Sequence, residues 1–257
     1  MNVNKRRRVI VNNTIETILD HRSIRKFKEK ELTDDQVRLL VKAAQQASTS
    51  SYVMAYTIIG ITDKNKKEEL WKISGHNHVT QNGHLFIFCG DLHRVMLLAE
   101  EENEKILESV ESKEQFIVAT IDAAVAAQNL CIAAESMGLG ICYLGSLRND
   151  IYRFNDVLEL PDHVFPLFGI AVGYPDEEPE LKPRLPIEAV YHENVYSSDD
   201  IQKSILTSFD QEIANYYESR STNKRTDTWS EQMMRKYSNP TRLNVADFIK
   251  SKKLDQQ

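Results

Sequence analysis

The sequence predicts an α+β fold in which helices cover a single sheet. Four short runs of apolar and β-branched residues, at 56–61, 85–89, 141–144 and 165–172, have the length of strands. Segments with helical periodicity lie between and around them. No internal repeat and no flexible linker divides the chain, so one domain is expected over residues 14–257, behind an N-terminal extension at 1–13.

Taken in order, residues 14–20 read as a short helix with Ile15, Ile18 and Leu19 on one face. Thr33-Asp34-Asp35-Gln36 is a capping box, in which Thr33 caps the helix and Gln36 reaches back. The helix it opens carries Val37, Leu40, Val41, Ala44 and Ala47 as one stripe, then runs into Ser48-Thr49-Ser50-Ser51. Four hydroxyl residues in a row also suit a plain helix terminus. The strand at 56–61 ends at Thr62-Asp63, and a charged helix follows from 64 to about 73. The run at 85–89 is short enough for a buried strand.

Residues 116–137 form the longest element, rich in alanine and apolar on most sides, which marks a helix in the middle of the fold. Gly138 suits its C′ position. The third strand leads to Gly145-Ser146, where backbone N–H groups have little steric cover. A short helix near 149–157 precedes the fourth strand. Pro175, Pro179, Pro183 and Pro186 make the loop at 173–186 rigid and extended. A further helix spans 201–217. The polar remainder holds Trp229, Met233, Met234, Leu243 and Phe248, too many large apolar groups for a disordered end and too few for a separate core. It is expected to pack on the main body or on a second subunit.

Composition narrows the function. A chain of 257 residues, 41% apolar and 27% charged, can bury a sizeable core. A net charge of -6 and a pI near 5.7 argue against a nucleic-acid partner. Lys5-Arg6-Arg7-Arg8 reads as a solvated extension; only Val9 to Val11 follow as apolar residues, too few for a signal sequence. No window is expected to approach the length of a membrane span. Cys89, Cys131 and Cys142 lack metal or redox spacing and sit in apolar runs, which suits reduced thiols in a cytoplasmic protein. His76 and His78 have no accompanying cluster, so no metal is expected.

The chemistry concentrates in His21-Arg22-Ser23-Ile24-Arg25, in the hydroxyl cluster at 48–51, and in Lys182-Pro183-Arg184. Guanidinium, ammonium, hydroxyl and exposed N–H groups are what a phosphate requires, and no Gly-rich phosphate loop is present. An anionic ligand held by dispersed cations is the reading from the residues alone.

These segments, with Ala126-Ala127-Gln128-Asn129, the run from Ala133 to Gly140, Lys182-Pro183-Arg184-Leu185-Pro186 and the late Tyr217, Arg220, Arg225 and Asp227-Thr228-Trp229-Ser230, resemble the oxygen-insensitive nitroreductase and flavin reductase family, in its NADPH-dependent FMN branch. The resemblance implies a nitroreductase-like fold with a mixed or antiparallel sheet of four to five strands. It also implies an intertwined homodimer with an extended C-terminal segment, residues 200–257 packing at the interface. It implies tightly bound FMN, with NADPH as co-substrate. His21, Ser23, Lys182 and Arg184 would hold the FMN phosphate, with Arg22 in the same loop. Arg25 would approach the N1/O2 edge of the ring. Thr49, Ser50 and Ser51 would contact phosphate or ribityl from the partner subunit. Tyr143, Leu144, Gly145 and Ser146 would line the ring, and Arg220 and Arg225 would receive the NADPH 2′-phosphate. Two departures stand out: His76 takes a position that is often glutamine in the family, and Ser146 one that is usually glycine.

The implied activity is ping-pong reduction of nitroaromatics, quinones or free flavins. Alternatives are a reductase with a dedicated acceptor such as a disulfide or chromate, a flavin-binding carrier without turnover, and an anion-binding scaffold. Yellow protein that bleaches with NADPH marks a reductase, yellow but inert protein a carrier, and colourless protein that cannot be reconstituted a scaffold.

Overall fold

The computed structural model describes residues 11–99, 104–220 and 224–256; the basic run at 5–8 lies outside them. The chain forms two compact units, residues 1–179 with 242–257, and residues 180–241.

The first unit holds helices α1 (Asn13–Leu19) and α2 (Asp34–Gln45), strand β1 (Tyr56–Ile61), α3 (Lys64–Ser74), β2 (His84–Asp91), α4 (His93–Met96) and α5 (Glu104–Val110). It continues with α6 (Lys113–Ser136), β3 (Gly140–Leu144), α7 (Ile151–Leu158) and β4 (Val164–Gly173). The four strands form one antiparallel sheet in the order β1-β2-β4-β3.

Alternation along the central strands explains the layers. Phe86 and Phe88 of β2 face the α2 and α6 side, whereas Leu85, Ile87 and Cys89 face the α3 and α7 side. All eight residues of β2 are therefore buried, and its sequence reads as a continuous apolar run rather than an alternating one. The expected capping box forms, with the Gln36 N–H donating to Thr33 Oγ1 at 3.2 Å and Gln36 Oε1 accepting from the Thr33 N–H at 3.0 Å. Gly138 stands just past α6 at φ +73°, as a C′ glycine should.

Two apolar faces are less covered than expected. Among the residues of α1 none is buried. Contrary to the expectation that no window approaches the length of a membrane span, α6 has that length and hydropathy, yet Ala119, Ala123, Ala126, Ala127 and Leu130 pack in the core. Ile117, Ile121 and Val125 form an exposed stripe along its other side.

In the second unit, α8 (Asp199–Ser219) and α9 (Trp229–Tyr237) pack through Phe209, Ile213, Tyr217 and Trp229. α10 (Val245–Ser251) returns to the first unit, where Phe248, Ile249 and Leu254 are buried. The end of the polar tail thus packs on the main body.

His84 opens β2 with its Nε2 buried and lacking a hydrogen-bond partner among the described residues. Burial, then the charge of Lys67, hold its ring down to about 4. Unfolded chain takes up that proton near pH 6.5, before the folded ring does. The contribution is therefore complete above about pH 6.5, on the order of 3 kcal/mol, and is lost as pH falls towards 4. Thermal unfolding followed from pH 7 to pH 4 should show a shallower loss of stability in His84→Met than in the parent chain. Parallel curves would contradict this.

Candidate functional site

The His21–Arg25 loop lies alongside β3. The Ile24 N–H donates to Ile141 O at 2.9 Å, and Ser23 bridges Ile141 in parallel register. Gly140 permits this approach, because a Cβ there would sit 2.5 Å from Ile24 Cγ1. From the other side, Glu177 Oε1 accepts from the Arg25 N–H at 2.6 Å and from the Lys26 N–H at 3.1 Å. One carboxylate thus fixes the loop backbone and leaves the Arg25 side chain exposed.

Within the loop, His21 Nδ1 meets Glu135 Oε1 at 2.5 Å. The half-buried Arg22 donates to Asp20 Oδ2 at 2.9 Å, while its Nε is buried without a partner among the described residues. Burial pushes the Glu135 carboxyl above the usual range, against the pull of His21.

The β3 end and the His76 turn join this loop. Ser146 Oγ lies 2.6 Å from Ser74 Oγ, which ties the Gly145-Ser146 turn to the end of α3 just before His76. His76 is exposed and stacks on His78, with ring centroids 5.3 Å apart. Burial, then the charges of His76 and Arg25, hold the His78 ring down to about 4. Tyr143 is partly exposed, and its hydroxyl donates to Gln128 Oε1 at 3.4 Å. Burial pushes that phenol well above its ordinary value. Leu144 is 1% exposed, so its side chain belongs to the core and its backbone is what the site can use. In the first unit the loop of His21, Arg22, Ser23 and Arg25 thus runs beside the start of β3, and Tyr143, Gly145 and Ser146, with the His76 turn tied to them, lie at its other end.

Thr49, Ser50 and Ser51 lie on the separate α2–β1 loop, built around a buried carboxylate. Asp122 of α6, 1% exposed, accepts from the Ser50 N–H at 2.9 Å and from the Ala55 N–H at 3.0 Å. Between those anchors, Ser51, Tyr52 and Met54 adopt positive φ of 48°, 61° and 53°.

The second unit holds the other expected cations. Lys182 and Arg184 are exposed on the Pro-rich loop, and the Lys182 ammonium lies 5.7 Å from the Tyr217 ring centroid. The Arg225 guanidinium is also 5.7 Å from Tyr217, and Arg220 is 5.6 Å from Tyr216. Arg220 Nε faces Glu180 Oε2 at 3.5 Å with the side chain 22% exposed, whereas Arg225 is open. Arg225 lines a cavity of ≈ 680 Å³ with Lys224, Thr226, Glu218 and Ala214.

The sequence marked the clustered cations but neither Lys224 nor the acids that hold the two loops. Asp122 carried a usable signal, a lone charge in the apolar middle of a long helix. Glu135, Glu177 and Lys224 carried none, since each works through a fold-level neighbour or an open cavity.

A nitroreductase family profile matches residues 18–174, and a profile for the C-terminal domain of that family matches 182–257. An FMN reductase (NADPH) of Bacillus subtilis is 52% identical over 245 residues, covering 94% of this chain and 98% of the relative. Among solved structures, the B. subtilis nitroreductase NfrA1 superposes with a TM-score of 0.92 at 50% identity, over 95% of this chain and 100% of that one. The NADPH:FMN oxidoreductase of Vibrio harveyi, solved with NAD+, gives 0.86 at 35% identity, over 96% and 100%. With profiles spanning most of its length and relatives matched nearly end to end, the chain belongs to the nitroreductase family.

Proposed function

We propose that this chain is an NADPH-dependent FMN oxidoreductase that reduces small-molecule acceptors by a ping-pong cycle. The observation that carries the reading is that the His21–Arg25 loop lies along β3 while the Gly145-Ser146 turn that ends this strand is tied to the His76 turn, in a chain half identical to an FMN reductase. The residues fit FMN. Arg22 presents a buried Nε that lacks a partner among the described residues, His21 and Ser23 add polar groups for a phosphate, and Arg25 is an exposed cation whose backbone is held by Glu177. FMN, when bound, supplies two-electron hydride chemistry that no side chain here offers.

The chain's own residues bind and bias. His21, Ser23, Lys182 and Arg184 are assigned to the FMN phosphate, with Arg22 beside them, and Thr49, Ser50 and Ser51 to phosphate or ribityl of the FMN on a partner chain. Arg25 offsets negative charge at the N1/O2 edge. Backbone N–H groups from Tyr143 to Ser146, with His76 opposite, line the ring. Arg220 and Arg225 take the NADPH 2′-phosphate. No general base is required.

A second copy of the chain is part of the proposal. The exposed stripe of Ile117, Ile121 and Val125 on α6, with Leu39 on α2, supports an apolar interface. The helical segment at 200–257 contributes exposed Ile201, Met234 and Tyr237. Light scattering should give twice the chain mass; an FMN-loaded monomer would contradict this. Three unpaired, buried cysteines suit a reducing cytoplasm, and cell fractionation checks it.

Steady-state kinetics with NADPH and free FMN, quinone or nitroaromatic acceptors should give parallel double-reciprocal lines. Intersecting lines would rule out the cycle. Arg25→Ala is expected to slow single-turnover reduction roughly 100-fold, the scale of one fixed charge-stabilising donor. Unchanged bleaching would reject its placement.

A further inference from the structure

Behind the Gly145-Ser146 turn stand two cations that no acid offsets. Arg148 is half-buried, and its Nη1 donates to Leu167 O of β4. Its Nη2 lies against the turn, 3.4 Å from where a Cβ on Gly145 would stand. One residue on, Asn149 Oδ1 accepts from Arg242 Nε at 3.0 Å and from Arg242 Nη2 at 2.8 Å. Arg242 opens the segment that returns to the first unit, and it is held there at φ +59°, a conformation uncommon for a residue other than glycine.

Arg22, Arg94, Arg153, Arg220 and Arg235 each face a carboxylate within ion-pair distance. Arg148 and Arg242 face none among the described residues. Asp150, the acid nearest to them in sequence, is turned to α7, where its Oδ1 accepts from the Arg153 N–H at 3.1 Å. Burial, then the charge of Arg242, lower the Arg148 guanidinium from its ordinary value, so the two cations act on each other. Pinning the turn to β4 requires Arg148 alone. A second guanidinium, seated beside it on a neutral amide, adds repulsion and no bond to the turn. An anion shared by the two would turn that repulsion into attraction, in the fork geometry that suits phosphate and carboxylate.

The phosphates assigned so far have cations of their own: the His21 loop, Lys182 and Arg184 for bound FMN, and Arg220 and Arg225 for NADPH. Resting on the flavin reductase reading, we propose that Arg242, with Arg148 behind it, forms a subsite for an anionic group carried by the electron acceptor, so that the chain prefers free flavin bearing a phosphate to the uncharged flavin with the same ring. Its place follows from the turn itself, which is assigned to the ring where hydride leaves for the acceptor.

The test uses the FMN-loaded holoprotein with two acceptors that share one isoalloxazine ring, free FMN and riboflavin. In the parent chain kcat/KM should favour FMN roughly tenfold, the scale of one charge-assisted contact. Arg242→Gln should bring the ratio to within about twofold of unity, through KM for FMN, whereas Arg242→Lys, which keeps the charge, should retain most of the preference. Equilibrium dialysis of the oxidised holoprotein without NADPH should show the same order for the exchangeable flavin, independently of turnover. A parent chain without preference for FMN, or a preference that survives intact in Arg242→Gln, would overturn the inference. A rise in KM for NADPH and NADH alike, with the flavin ratio unchanged, would assign the pair to the nucleotide diphosphate and overturn it too. A holoprotein that NADPH fails to bleach would overturn the reductase reading, and this inference with it.

Discussion

Arg225→Ala should raise KM for NADPH about 10- to 100-fold and leave KM for NADH within about twofold, the scale of losing one charge-assisted contact to a dianion. The asymmetry between the two expected clamp residues motivates this choice. Arg220 is held between Tyr216 and Glu180, so its truncation also removes packing. Arg225 has no such acid partner among the described residues and lines the ≈ 680 Å³ cavity with Lys224, a second cation for the same phosphate. Lys224→Ala should therefore act in the same direction, more weakly. Steady-state kinetics with both nucleotides decides. An equal rise for NADPH and NADH would show that Arg225 does not read the 2′-phosphate.

Asp122→Ala should destabilise the apoprotein by about 3 kcal/mol, because it strands two backbone N–H donors. It should also weaken FMN binding. The carboxylate reaches both ends of the loop that holds Ser51, Tyr52 and Met54 at positive φ. Such conformations cost on the order of 1 kcal/mol each and persist only where the surroundings enforce them. Once released, the loop relaxes and Thr49, Ser50 and Ser51 lose their arrangement. Asp122→Asn, which keeps one acceptor, should lie between. Urea unfolding and FMN titration measure the two effects; a change within about 0.5 kcal/mol would mean that the anchor is dispensable.

Local rules carried most of the fold. β1 and the α2 capping box were legible because short-range chemistry specifies them, and Gly138 because few residues but glycine end a helix at positive φ. The start of α9 was equally marked, since Thr228 and Glu231 form a second capping box, but that signal was masked by the polar tail around it. α10 was not legible, because its helix rests on packing against the first unit rather than on a cap. The exposed stripe on α6 was hidden for a related reason: periodicity cannot separate a side buried in one chain from a side buried between two.

At the site, the cations announced themselves in clusters. The acids that orient them did not. Glu135 lies 114 residues from His21, Glu177 lies 152 from Arg25, and Asp122 lies 72 and 67 from the two N–H groups it holds. Such pairs follow from the strand order and helix packing, not from any local pattern.

The most direct test of the whole account is anaerobic mixing of the FMN-reconstituted protein with NADPH, followed by addition of oxidised free flavin. The account predicts loss of the yellow colour on the first addition and its return on the second. Protein that stays yellow with NADPH, or that never takes up FMN, would contradict it.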